Sequence, residues 1–143
     1  MSDCVFCKIV EGSIPSSKVY EDELTVAFMD IGQVNPGHVI VAVKSHVENI
    51  YDLNDELAGA VFRTAAKVAQ AVKKSMRAEG MTLLQANEKA GWQTVFHFHL
   101  HVVPRFNNDG LTFTWPVKNP PQEKLKSLAE QIQDSLVGLS LSA

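Results

Sequence analysis

Cysteine, long aliphatic runs and clustered positive charge are all scarce in this 143-residue chain. Two cysteines cannot build a disulfide framework, so the chain is expected to fold on an apolar core and to suit a reducing, cytoplasmic setting. The longest aliphatic run, Val39 to Val43, is far too short to span a bilayer, which excludes a membrane protein of the helical kind. The opening residues MSDCVFCKIVEG lack the basic-then-apolar pattern of a secretion signal. Thirteen Lys and Arg stand against sixteen Asp and Glu, for a net charge of −3. A mildly acidic chain with no basic run is poorly suited to gripping nucleic-acid backbones, so no nucleic-acid partner is expected. Glycine and proline do not gather into a linker, and no internal repeat is visible. Residues 12–17, 33–37, 107–110 and 119–121 hold the turn-forming residues, and they punctuate one unit without dividing it.

What is present is an ordinary globular balance, 45% hydrophobic and 20% charged, at a length that suits one domain. Leu24 to Asp30 and His38 to Val43 are rich in β-branched residues and flank the turn GQVNPG, so they predict antiparallel neighbours. Lys18 to Tyr20, Met81 to Ala86 and Val95 to Val103 are further strand candidates. Asn54 is placed to cap a helix, with Asp55 and Glu56 favoured in its first turn. Leu57, Val61, Ala65, Val68, Val72 and Met76 then recur at steps of three and four, forming a core-facing stripe. Lys73, Lys74 and Arg77 complement its end, which Gly80 can close. A second helix is expected after Pro120-Pro121, with Leu125, Leu128, Ile132 and Leu136 on one face. This irregular mix favours α+β with an antiparallel sheet over a doubly wound fold.

Three of the five histidines lie within five residues, in VFHFHLHVVPR. Strict alternation sends Phe98, Leu100 and Val102 to one face of a strand and His97, His99 and His101 to the other, at spacings of about 6.6 Å. A solvated strand face would normally mix Thr, Lys and Glu. A metal site would usually add a carboxylate or another supporting group, and no acidic residue lies between Val95 and Arg105. Covalent catalysis uses all three positions: one imidazole attacks, a neighbour holds its tautomer, and another group balances developing charge. His99, flanked on both sides, is then the natural nucleophile. Upstream, Asn87 and Gly91-Trp92-Gln93-Thr94 offer donors and a close backbone approach suited to phosphate. Cys4-x-x-Cys7 reads as a redox pair, half of a zinc site, or two ordinary thiols. Gly12 and Pro15 argue against the long helix a thioredoxin-like pair would open. Asp30 at a strand end would ordinarily be a turn residue. Phe6 and Phe28 would ordinarily be core aromatics, and His38 and His46 plain edge and loop residues.

The run from His97 to Val103 resembles the motif of the histidine triad superfamily: His, apolar, His, apolar, His, two apolars. Phe6-Cys7-Lys8-Ile9, Ile14-Pro15, Tyr20-Glu21-Asp22, Ala27-Phe28-Met29-Asp30-Ile31, Gly37-His38, Lys44-Ser45-His46 and Gln93-Thr94-Val95-Phe96-His97 follow the family in order. The resemblance covers about residues 4–115, is closest to the bacterial nucleotide-binding branch that includes adenosine phosphoramidases, and leaves 116–143 as a helical extension of the same domain. It implies a five-stranded antiparallel sheet, a homodimer and a purine mononucleotide site. It further implies a hydrolase in which the middle His attacks the α-phosphorus to give a nucleotidyl-histidine, which water then opens.

By motif position, His99 resembles the nucleophile, His101 the neighbour at the phosphate or leaving group, and His38 a supporting histidine. Asn87, Gln93 and Thr94 resemble phosphate-side contacts, Asp30 the ribose acceptor, and Phe6, Phe28 and Ile31 the base-pocket walls. Cys4, Cys7, His46 and His97 resemble a structural zinc set of bacterial relatives, and no organic cofactor is implied. Dinucleoside polyphosphate cleavage and a nucleotide-binding interaction module with vestigial activity are the rival readings. One departure stands out: Trp92 occupies a position where many members carry Gly, which bears on substrate preference but not on the nucleophile.

Overall fold

The computed structural model describes residues 3–139, so the last four residues of the expected extension lie outside the described residues. Residues 3–111 make one unit and 112–139 another. In the first, five strands lie wholly antiparallel in the order β1-β2-β3-β5-β4. These are β1 (Lys18–Glu21), β2 (Thr25–Met29), β3 (Val39–Val43), β4 (Gly80–Leu84) and β5 (His99–Arg105). The fold is α+β.

The sheet has two differently occupied faces because side chains alternate along each strand. Val39, Val41 and Val43 of β3 and Leu100 and Val102 of β5 face α2 (Asp55–Met76), joined by Phe98. Helix α2 supplies Leu57, Val61, Ala65, Val68 and Val72, the stripe expected from its spacing, while Met76 at its end is 39% exposed. Each fully buried Leu or Val side chain contributes about 1.5–3 kcal/mol, so this stripe is what holds α2 to the sheet. The Asn54 side chain accepts the Leu57 N–H at 2.8 Å, as a capping residue should. The far end differs from expectation. Helix α2 closes at Arg77, in the left-handed region at φ 55, and Gly80 opens β4 instead.

The opposite face packs Ile40 and Ala42 of β3 and Val26 and Phe28 of β2 beneath α1 (Val5–Glu11). No periodic apolar pattern in the sequence predicts a helix there. The Cys4 sulfur accepts the Cys7 N–H at 3.3 Å and Gly12, at φ 86, provides the left-handed closure, so seven residues suffice. The histidine strand starts four residues later than expected. Val95 to His97 precede the ladder in a bend, and the Phe98 N–H donates to the Val47 carbonyl at 2.6 Å.

In the second unit, α3 (Gln122–Val137) follows Pro121, as expected. None of its residues is buried, and Leu125, Leu128, Ile132 and Leu136 form its apolar stripe. No helix among the described residues is long and apolar enough to cross a membrane.

Candidate active site

The site is assembled by register. Pairing of Ala42 with His99 and of Ile40 with His101 puts both imidazoles on the face that carries α1. Phe6 of α1 meets the His99 ring edge-on at 4.9 Å between centroids, and Phe28 meets Phe6 at 5.3 Å. Both aromatics are buried, Phe6 directly against the nucleophile candidate and Phe28 behind Phe6. The His99 and His101 rings lie 5.0 Å apart. The alternation in the sequence therefore holds even where the backbone leaves the ladder: Phe98 goes to the α2 side and His97 to the other.

His99 has one decisive contact. Its Nδ1 lies 2.6 Å from the backbone carbonyl of His97. A carbonyl only accepts, so Nδ1 carries the proton and Nε2 is left with the free lone pair. Burial holds the rings of His38, His97, His99 and His101 below the ordinary histidine range, which favours their neutral forms.

Behind this pair, His38 Nε2 and His101 Nδ1 are 2.9 Å apart. Asp30 Oδ2 lies 3.4 Å from His38 Nε2 and 3.7 Å from His101 Nδ1, while its Oδ1 accepts the Gly32 N–H. The bland reading of Asp30 as a turn residue thus captures only one of its oxygens. Its approach to two imidazoles depends on the joint register of β2, β3 and β5, which no local pattern encodes. Asp30 and Ile31 also line an open depression with Pro15, Ser16, Ser17 and Gln33, and the Ile31 side chain is fully exposed there.

The loop before β5 is held by Gln93. The buried amide accepts the Glu88 N–H at 2.6 Å and donates to the carbonyls of Glu48 at 2.7 Å and Val95 at 3.2 Å. Both of its donors are thus engaged within the protein, and its evident work is to shape residues 88–95. Asn87 is likewise tied, accepting the Ile50 N–H at 2.8 Å and exchanging hydrogen bonds with Gln85. Thr94 is exposed. Glu88 and Trp92 both sit at positive φ, 63 and 75. Trp92 therefore occupies a left-handed position that glycine takes without penalty, and its indole is 68% exposed.

Next to the triad, Cys4, Cys7, His46 and His97 bring four ligand atoms within 4.8 Å of one another. Cys4 Sγ lies 3.3 Å from His97 Nδ1, and Cys7 Sγ lies 3.4 Å from His46 Nδ1 and 3.6 Å from His97 Nδ1. Around a tetrahedral zinc with Zn–S of about 2.3 Å and Zn–N of about 2.05 Å, sulfur and nitrogen stand about 3.6 Å apart. The donor set therefore fits the ion in chemistry and in spacing. His97 Nε2 lies 2.6 Å from the Val43 carbonyl, which fixes that nitrogen as the proton bearer and turns Nδ1 toward the sulfurs. Burial and the neighbouring Cys4 push the Cys7 thiol up to about 11.

A five-stranded antiparallel sheet whose internal strand β5 carries His99 and His101, with His97 turned to the same side in the bend just before it, defines a histidine-triad protein. The HIT domain family matches residues 11–108, and the chain belongs to that family. It is 48% identical over 115 residues, 79% of each chain, to Protein hit of Bacillus subtilis. It is 35% identical to adenosine 5′-monophosphoramidase of Schizosaccharomyces pombe over 93% of this chain and 98% of that one. Among solved structures, a HIT family protein from Bacillus anthracis superposes with a TM-score of 0.88 at 43% identity, covering 93% of this chain and 96% of that one. A Zn-bound histidine triad family protein from Mycobacterium smegmatis does so with a TM-score of 0.74 at 34% identity, covering 94% and 98%. Membership supports a nucleotide hydrolase at the level of the family.

Proposed function

We propose that the chain hydrolyses purine nucleoside phosphoramidates or related 5′-phosphate derivatives through a nucleotidyl-histidine. The observation that carries this is the hydrogen bond from His99 Nδ1 to the His97 carbonyl, which presents Nε2 as a neutral nucleophile. In the first step a bond forms between His99 Nε2 and the α-phosphorus. The bond from phosphorus to the leaving nitrogen or oxygen breaks, and the leaving group departs with that electron pair and takes up a proton. His101 is the neighbour placed to manage that proton, backed by His38. In the second step water attacks phosphorus, the phosphorus–nitrogen bond to His99 breaks, and nucleoside monophosphate leaves. Thr94, Asn87 and the loop shaped by Gln93 are assigned to the phosphate side, Asp30 to the ribose hydroxyls, and Phe6, Phe28 and Ile31 to the base. The relationship to a phosphoramidase of fission yeast favours this substrate class over dinucleoside polyphosphates.

His99→Ala is expected to keep the circular dichroism and melting behaviour of the parent and to lose on the order of 10³-fold or more in turnover of an adenosine phosphoramidate. Near-parental turnover in that variant overturns the assignment. A phosphohistidine trapped in the parent and missing from the variant supports it.

We further assign a structural zinc to Cys4, Cys7, His46 and His97. The spacing above and the zinc-bound mycobacterial relative support it. The ion's part is structural: these four residues would fasten the start of α1 and the turn after β3 to the bend before β5. Purified protein is expected to hold about one zinc per chain, and chelation to lower its melting temperature. Metal-free protein of unchanged melting temperature would count against it. The same reading takes residues 4–115 as the domain, 116–143 as its extension, and a homodimer as the assembly, for which sedimentation is the direct measurement.

A further inference from the structure

A second group of possible ligands is left over once the cysteine cluster is set aside. Asp30, His38 and His101 bring one ligand atom each to within 4.8 Å of one another. They come from the residue after β2, the residue before β3 and the middle of β5, and only the sheet register unites them. The three separations are 2.9, 3.4 and 3.7 Å. Donors about 2.1 Å from a first-row divalent ion stand roughly 3.0–3.4 Å apart in octahedral or tetrahedral geometry. The three edges straddle that range, one within it, one 0.1 Å short and one 0.3 Å long, so a shift of a few tenths of an ångström would bring the donors onto a coordination face.

The donors are also free to serve. Asp30 spends Oδ1 on the Gly32 N–H, which leaves Oδ2 aimed at the two rings. His38 and His101 meet nitrogen to nitrogen, so a single proton bridges them. The Val34 N–H approaches His38 Nδ1 at 3.4 Å, which puts that proton on Nε2. An entering cation would replace the bridging proton. The proton would move to Nδ1 of the same ring, where it faces the Val34 N–H and the two must part slightly, and no net charge would have to leave the protein.

We propose that Asp30, His38 and His101 form a second, open divalent-cation site of two imidazoles and one carboxylate, and that its occupancy and nucleotide binding exclude each other. Two histidines and one carboxylate with open positions suit Co²⁺, Ni²⁺, Fe²⁺ or Zn²⁺ better than Mg²⁺ or Ca²⁺, which take oxygen. Exclusion follows from shared ligands and rests on the proposed function: the cation takes the carboxylate assigned to ribose and the histidine assigned to the leaving group. His101 stands 5.0 Å from the His99 ring, so the ion would sit beside the nucleophile without using it.

Cobalt titration of the full chain reads the site directly. Thiolate-bound Co²⁺ shows intense near-ultraviolet charge-transfer bands, so an ion held by nitrogen and oxygen alone is distinguishable from one in the cysteine cluster. The parent is expected to take up one equivalent lacking those bands, and Asp30→Asn and His101→Ala to lose that equivalent while keeping any thiolate-bound one. Parent protein with no such equivalent, or both variants retaining it, overturns the site. Adding AMP should release the second ion from the parent, and Zn²⁺ should inhibit adenosine phosphoramidate turnover competitively. Retention of the ion at saturating AMP, or stimulation by Zn²⁺, overturns the exclusion. Because the spectroscopic arm uses no substrate, it stands or falls separately from the hydrolase reading, which the His99→Ala variant tests.

Discussion

Trp92 sits at a φ of 75, a left-handed backbone position that favours glycine. A side chain in the left-handed region costs about 1–2 kcal/mol, and an indole 68% exposed recovers little of this by burial. Trp92→Gly is therefore expected to stabilise the protein by about 0.5–1 kcal/mol, after the extra backbone entropy of glycine is subtracted. Urea denaturation checks it, and a destabilised variant would show that the indole has a partner worth more than the strain. The sequence could mark Trp92 as unusual but not as strained, because φ is set by the turn that Gln93 closes through Glu88, Glu48 and Val95. The same holds for Asp30. His99 was readable because strand alternation is a local rule, whereas the oxygen of Asp30 between two imidazoles is a product of three strands.

Among the elements, α2 was the most legible and α1 the least. Twenty-two residues of repeating apolar spacing outweigh local noise, and the Asn54 cap announced the start. Asn54→Ala is expected to cost about 1 kcal/mol, seen as a lowered urea midpoint with an unchanged slope, since only the cap on the Leu57 N–H is lost. Helix α1 has seven residues and a sulfur cap, too short for a periodic signal, and it is held by burying Phe6 and Ile9 against the sheet. Strand β5 shows a third case. Its side chains alternate from Phe98 onward as the pattern demands, yet its ladder begins only at His99. The backbone there is diverted to Val47, and the His97 ring to Val43, contacts that alternation cannot foretell.

Across the unit of residues 3–111, one carboxylate ties distant segments together. Asp109 takes Arg105 in a two-point ion pair at 2.7 and 3.1 Å, the N–H groups of Phe106 and Leu111, and the Asn35 amide, which also reaches the Pro104 carbonyl. Arg105 first, then the backbone donors, hold its carboxyl far below the ordinary carboxylate range. The folded chain therefore keeps Asp109 ionised where an unfolded chain would bind a proton. Its contribution is complete above about pH 4 and is lost progressively as the pH falls below that. Asp109→Asn is expected to lower stability at pH 6 and to flatten the decline between about pH 4 and pH 2; an unchanged acid limb would show that other carboxylates govern it. The overall architecture needed no such detail, since five strand patterns and one strong helix already specify an antiparallel α+β domain. What lay beyond reach was the tertiary wiring of the site.

One peptide unit carries an outsized share of that wiring. The ring of His97 belongs to the sulfur cluster, and its carbonyl oxygen sets the tautomer of the residue two places on. Anything that disturbs the cluster, whether thiol oxidation or a competing soft metal, would tilt that carbonyl and loosen its hold on the His99 ring from behind. Redox damage at the amino-terminal helix should thus lower turnover even while the depression lined by Asp30 and Ile31 remains intact.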